Sequence, residues 1–129
     1  MSICLLDTNA VLFALAQPQR LSARARAAIL AGPNLMSVVS YWEVVLKSMK
    51  GKLDVGDPRS WWGDALKQLA ASTLILRPEH ISANCLLPQH HRDPFDRVLI
   101  AQAIVEGVPL VTADADMAGY ASAGLKIIA

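Results

Sequence analysis

Ser2-Ile3-Cys4-Leu5-Leu6-Asp7-Thr8-Asn9 is the stretch on which the reading of this chain turns. A short continuous apolar run marks a strand buried on both faces, and this one ends on a carboxylate, a hydroxyl and an amide, the residue types that start helices. Residues 10–16 then read as helix as far as Pro18. Asp7 is therefore expected at the carboxyl end of a buried strand, where an ionised group needs partners.

The same grammar recurs outward from this point. Ser22 caps a predicted helix over residues 23–31, closed by Gly32-Pro33, and residues 35–39 have strand character. Ser40-Tyr41-Trp42-Glu43 has capping-box spacing before Val44, Val45, Leu46 and Met49, and Gly51 ends that helix. Asp57-Pro58 opens an amphipathic helix carrying Trp61, Trp62, Ala65, Leu66 and Leu69, which read as core or interface rather than as base-stacking groups. Residues 73–76 form a predicted third strand and 79–87 a short helical piece. Asp93-Pro94 repeats the cap-plus-proline signature before a helix at 98–105, with Gly107 as its C-cap. Residues 109–112 and 125–128 read as the fourth and fifth strands, with one or two helical turns at 116–121. Short apolar strands alternating with helices predict an α/β fold: a parallel sheet of about five strands, flanked by helices in three layers.

Composition agrees with one domain over residues 1–129. The chain is 53% apolar and 18% charged, enough to fill a core, and its 12 basic against 11 acidic residues exclude a strongly basic nucleic-acid-coating protein. Charge is uneven: residues 1–56 carry six basic and three acidic side chains, residues 57–129 six and eight. Cys4 and Cys85 lack metal-ligand spacing and read as buried thiols of a reducing compartment, the cytoplasm. The longest uncharged run, residues 27–42, is broken by Gly32-Pro33-Asn34 and falls short of the roughly 18 residues of a membrane span. Asp7 and the lack of a preceding basic segment argue against a signal peptide.

Open parallel sheets bind ligands outside the carboxyl ends of their strands. Asp7 and Asp114 follow predicted strands, and Glu43 and Asp96 fall in the first turns of predicted helices, so all four should reach one edge. Carboxylates gathered without a cation push protons back onto one another; a divalent ion removes the conflict, and all-oxygen ligands favour Mg²⁺ or Mn²⁺. Such a site ionises a water and stabilises phosphoryl charge in an in-line displacement, which is nuclease chemistry. With these four acids set aside, 12 basic residues face 7 acidic ones, an excess able to contact phosphates. Lys47, Lys50, Lys52 and Arg97 are the nearest candidates in sequence.

Each residue also has a plainer reading. Glu43 would simply complete a capping box with Ser40, Asp96 would complement a helix dipole, and Asp93 reads first as an N-cap and only second as an outer member of the site. Asp114 lies closer to its strand end than Asp116. His90 and His91 read as exposed loop residues, and His80 has no assigned role.

Leu5-Leu6-Asp7-Thr8-Asn9, the Glu43 helix ending Lys50-Gly51-Lys52-Leu53, His91-Arg92-Asp93-Pro94-Phe95-Asp96-Arg97 with Ala101-Gln102-Ala103, and Leu110-Val111-Thr112-Ala113-Asp114 together resemble the PIN domain. More narrowly they resemble the VapC-type toxins of prokaryotic toxin–antitoxin pairs, in order from Ile3 to the C-terminus. The resemblance implies that Asp7, Glu43, Asp96 and Asp114 are metal-binding catalytic acids, with Asp116 an outer member and Asn9 and Thr112 polar supports. It also implies an Mg²⁺- or Mn²⁺-dependent endoribonuclease that forms a homodimer and is inhibited by a small VapB-like antitoxin. DNA association would be indirect, through the antitoxin. Where many relatives carry an aromatic after the last acid, Met117 is expected to fill the apolar slot.

Two other classes make distinct demands. A phosphotransfer protein phosphorylated on Asp7 would need a second Asp where Asn9 stands, or a Lys at the Thr112-Ala113-Asp114 strand end. A catalytically silent PIN module acting only through protein contacts would be expected to have lost acids, and all four are present.

Overall fold

The computed structural model describes residues 3–88, 93–114, 116–117, 120 and 123–129. In chain order the elements are β1 (Cys4–Leu6), α1 (Thr8–Ala16), a 3₁₀ turn (Pro18–Arg20), α2 (Ala23–Ala31), β2 (Asn34–Ser37), α3 (Val38–Met49), α4 (Pro58–Gln68), β3 (Ala71–Leu74), α5 (Pro78–Asn84), α6 (Pro94–Glu106), β4 (Leu110–Val111) and β5 (Ile127–Ile128). All strand pairs are parallel, in the order β3-β2-β1-β4-β5. The chain therefore builds outward from β1 to β2 and β3, then returns to the other side of β1 for β4 and β5. That reversal places the topological switch point between β1 and β4, where open sheets leave a crevice at their carboxyl ends.

The alternation of side chains along β1 separates two cores. Leu5 packs with Ile100, Ala101, Leu110, Met117 and Tyr120 on one face; Cys4 and Leu6 pack with Val11, Ala25, Ile29, Met36 and Val111 on the other. The three-layer α/β architecture is as expected, and Met117 does occupy a buried apolar position.

The capping signals at Ser22, Asp57 and Asp93 are used as expected, each accepting from a backbone N–H of its helix. Gly107 ends α6 with φ +68, the left-handed conformation that favours glycine.

Several boundaries differ from expectation, among them the start of α6, which begins at Pro94 rather than at 98. The strand expected at 35–39 ends at Ser37, because Val38 and Val39 form the first turn of α3 and the Ser37 hydroxyl accepts from the Val39 N–H at 3.0 Å. Glu43 therefore lies in the second turn of α3, and the capping-box reading of Ser40 and Glu43 fails. The third strand is set by pairing with β2, Asn34 opposite Ala71 through Ser37 opposite Leu74, so Ile75 and Leu76 fall beyond it and are exposed. The helical piece expected at 79–87 is α5, ending at Asn84, which leaves Cys85 exposed; only Cys4 of the two cysteines is buried. The fourth and fifth strands are each only two residues long. Ser2, His90, His91, Arg92 and much of the 116–121 segment lie outside the described residues. Among the described residues no helix is long and apolar enough to cross a membrane.

Candidate active site

Asp7 leaves β1 at the switch point. Its backbone N–H donates to the Val111 carbonyl at 3.0 Å, continuing the β1–β4 ladder by one bond, and its Oδ1 accepts the Ala10 N–H at 2.7 Å to cap α1. The residue is 4% exposed. Burial pushes its carboxyl up to about 6, opposed by hydrogen bonds from the Thr112 side chain and the Ala10 N–H and reinforced by the charges of Asp114 and Glu43. Carboxylates from β1, α3 and the turn after β4 thus act on one another.

Asp114 is held by its own turn. Its N–H donates to Thr112 Oγ1 at 3.0 Å, and its Oδ1 accepts the Asp116 N–H at 2.9 Å. Thr112 is fully buried, so one hydroxyl serves both the Asp7 side chain and the Asp114 backbone. Asp116 is exposed and reaches the site through that backbone bond.

Glu43 is buried on the face of α3 that also carries Ser40 and Lys47, three residues before it and four after. Ser40 Oγ accepts a buried 2.9 Å hydrogen bond from Thr8 Oγ1, which fixes α3 against the start of α1. Glu43 Oε2 lies 2.7 Å from Lys47 Nζ, while Oε1 is buried without a partner. Lys47 is held well charged by its hydrogen bond to Glu43 first, against partial burial, and then by the charges of Glu43, Asp93 and Asp96. The lysine therefore connects the α3 acid to the half-buried Asp96 in the first turn of α6.

Asp7 thus feels the charges of Glu43 and Asp114, and Lys47 those of Glu43, Asp93 and Asp96. Among the described residues, no three acidic, histidine or cysteine side chains stand close enough as placed to hold one ion. Asn9 is exposed, whereas its neighbour Thr8 makes the buried contact. Asp93 is exposed and caps α6 through the Phe95 N–H at 2.7 Å. Lys50 and Lys52 are exposed at the end of α3. The Arg97 guanidinium is occupied by Asn84 Oδ1 at 3.1 Å, the Asn84 carbonyl at 3.1 Å and the Pro88 carbonyl at 2.8 Å, holding the end of α5 to α6.

Sequence reasoning missed several contributors. The Glu43–Lys47 spacing of four was a legible signal for an ion pair. Thr8 and Ser40, 32 positions apart, carried none. Trp42 and Phe95, the residues before Glu43 and Asp96, meet edge-to-face with centroids 4.9 Å apart and bridge the helices bearing those acids.

The sequence profile of the PIN domain matches residues 4–123. The chain belongs to the PIN domain family. This PIN domain is similar in fold to VapBC2 from Rickettsia felis, solved bound to a promoter DNA fragment, with TM-score 0.73, 15% identity, and 97% of this chain and 96% of that one covered. It is similar also to a toxin–antitoxin complex from Klebsiella pneumoniae, with TM-score 0.65, 18% identity and coverage of 98% and 96%. A third similar structure is VapBC-5 from Mycobacterium tuberculosis, with TM-score 0.65, 20% identity and coverage of 99% and 98%. No curated protein matches the sequence of this PIN domain.

Proposed function

We propose that this PIN domain is the toxin of a type II toxin–antitoxin pair and works in the cytoplasm as an endoribonuclease dependent on Mg²⁺ or Mn²⁺. The observation that carries the reading is Asp7, a buried carboxylate at the sheet's switch point with its carboxyl pushed up to about 6, faced by Glu43 and Asp114. Placing like charges there is unfavourable for a scaffold and useful for a cation site.

The residues fit a hard divalent ion in donor type, and the buried, unpartnered Oε1 of Glu43 is an acceptor without a donor. Asp7, Asp96 and Asp114 would hold the ion, with Glu43 sharing. Bound there, it would activate water and stabilise phosphoryl charge. Thr112 and the Ala10 N–H fix the Asp7 carboxylate, the Asp116 N–H fixes Asp114, and the Thr8–Ser40 contact fixes the depth of Glu43. Hydrolysis of the bond between phosphorus and the 3′-oxygen leaves 5′-phosphate and 3′-hydroxyl ends. Lys50 and Lys52 would contact RNA phosphates.

A VapB-like antitoxin is the proposed inhibitor, consistent with the toxin–antitoxin complexes that share the fold. The chain is proposed to be a homodimer, reaching DNA only through the antitoxin. Induced expression tests this reading: the wild-type chain should arrest growth and generate new RNA 5′ ends, and Asp96→Asn should do neither. Arrest by a folded Asp96→Asn chain would contradict it.

A further inference from the structure

The acid cluster contains its own cation. Lys47 Nζ lies 2.7 Å from Glu43 Oε2, and Asp93, the N-cap of α6, and Asp96 in its first turn also act on its charge. The opposite oxygen of the same carboxylate, Oε1, is buried and has no partner. Asp7 and Asp114, the other acids that act with Glu43, come from the ends of β1 and β4. Glu43 therefore divides the cluster: one oxygen is taken by an ammonium shared with the α6 acids, and the other is left without a donor.

Two-metal phosphodiesterases place their ions about 3.5–4 Å apart, bridged by shared carboxylates. Here an ammonium already occupies one side of the shared carboxylate, and a second divalent ion placed there would meet a like charge at close range. We propose that Lys47 stands in place of a second metal ion, so that this PIN domain loads a single divalent ion. The inference rests on the metal-dependent reading above and gives Lys47 a positioning and charge-balancing part, in contrast to the RNA-contact expectation drawn from its place in the sequence. A single ion and one ammonium bring three positive charges to four carboxylates, leaving the site weakly negative rather than strongly so.

The experiment is a Mn²⁺ titration of the full chain, freed of metal, read by calorimetry and by the free-Mn²⁺ electron paramagnetic resonance signal. Lys47 has 42% of its side chain exposed, so Lys47→Met and Lys47→Gln are expected to fold, which circular dichroism checks. The wild-type chain and Lys47→Arg should each take up one Mn²⁺, and the two neutral variants should take up two. Two ions in the wild type, or one ion in both neutral variants, would overturn the inference while leaving metal dependence intact. A variant that still binds one ion but loses RNA affinity would return Lys47 to a phosphate contact and likewise overturn it. No Mn²⁺ uptake by any folded chain would overturn the metal reading itself, and this inference with it.

Discussion

Thr8 Oγ1 donates to Ser40 Oγ at 2.9 Å across 32 residues, between two side chains that are at most 3% exposed. Thr8 follows Asp7 directly and Ser40 lies one helical turn before Glu43, so this contact sets where two of the acids stand relative to each other. In Thr8→Val the Ser40 hydroxyl keeps its burial and loses its donor. The expected cost is about 1–3 kcal/mol, read as a lower urea midpoint. RNA cleavage per folded molecule should also fall, while Thr8→Ser should restore both. Wild-type stability in Thr8→Val would show that the contact carries no weight.

Asp7 supplies a pH prediction. Its carboxyl is raised from 3.8 to about 6, by burial first and by Asp114 and Glu43 after that. An acid with a raised folded value holds its proton more tightly in the native state, so its effect is most favourable below about 4 and is lost as pH rises towards 6. The difference corresponds to about 3 kcal/mol. Asp7→Asn keeps an oxygen to accept the Ala10 N–H and removes the charge. It should therefore be more stable than the wild type at pH 8 by about 1–3 kcal/mol, with the gain vanishing near pH 4, and inactive towards RNA. Urea denaturation at the two pH values decides the matter; a loss of stability at pH 8 would contradict the electrostatic account.

His80, to which the sequence attached no role, is fully buried between α5 and α6. Its Nδ1 accepts the Arg77 N–H at 3.0 Å, which leaves Nε2 to donate to Glu106 Oε2 at 2.8 Å, and Arg77 pairs with the same carboxylate. Glu106 lies about 15 Å along α6 from Asp96. His80→Ala should therefore cost about 2–4 kcal/mol by leaving a cavity and unpaired polar groups, with cleavage per folded molecule unchanged. Thermal melts and single-turnover cleavage would separate these effects.

The lysines and Arg97 should behave oppositely. Arg97→Lys keeps the charge and loses the fork that grips Asn84 and Pro88, so it should lower stability by about 1–2 kcal/mol with little change in RNA affinity. Replacing exposed Lys50 and Lys52 together by Ala should leave the melting temperature in place, weaken RNA binding and flatten its salt dependence. Equal RNA affinity for the double variant and the wild type would remove both lysines from the interface.

What was legible in the sequence was whatever local chemistry decides. Asp93-Pro94 and Gly107 announce both ends of α6, and Asp7 at the end of an apolar run announces a helix start beside a sheet edge. Ser37 and Ser40 show where local reading stops. Either is a plausible cap, and β-branched Val38 and Val39 favour strand, so only the partner hydroxyl of Thr8 and the pairing of β2 decide between them. The same limit applies to Cys85, whose exposure depends on α5 ending one residue earlier, and to Arg97, whose partners lie in the preceding connection. For the site, the four acids proposed above could all be named from the sequence. That Lys47 would bind inside the cluster could not be ranked above solvent exposure without the fold.

The central claim is tested most directly by adding Mn²⁺ or Mg²⁺ to the purified, antitoxin-free chain with a total-RNA substrate and mapping the products. Cleavage should appear with either ion and stop with a chelator. The ends should carry 5′-phosphates, and Asp7→Asn, Asp96→Asn and Asp114→Asn should all be silent although folded. Cleavage that persists in chelator, or that survives in any of these three variants, would contradict it.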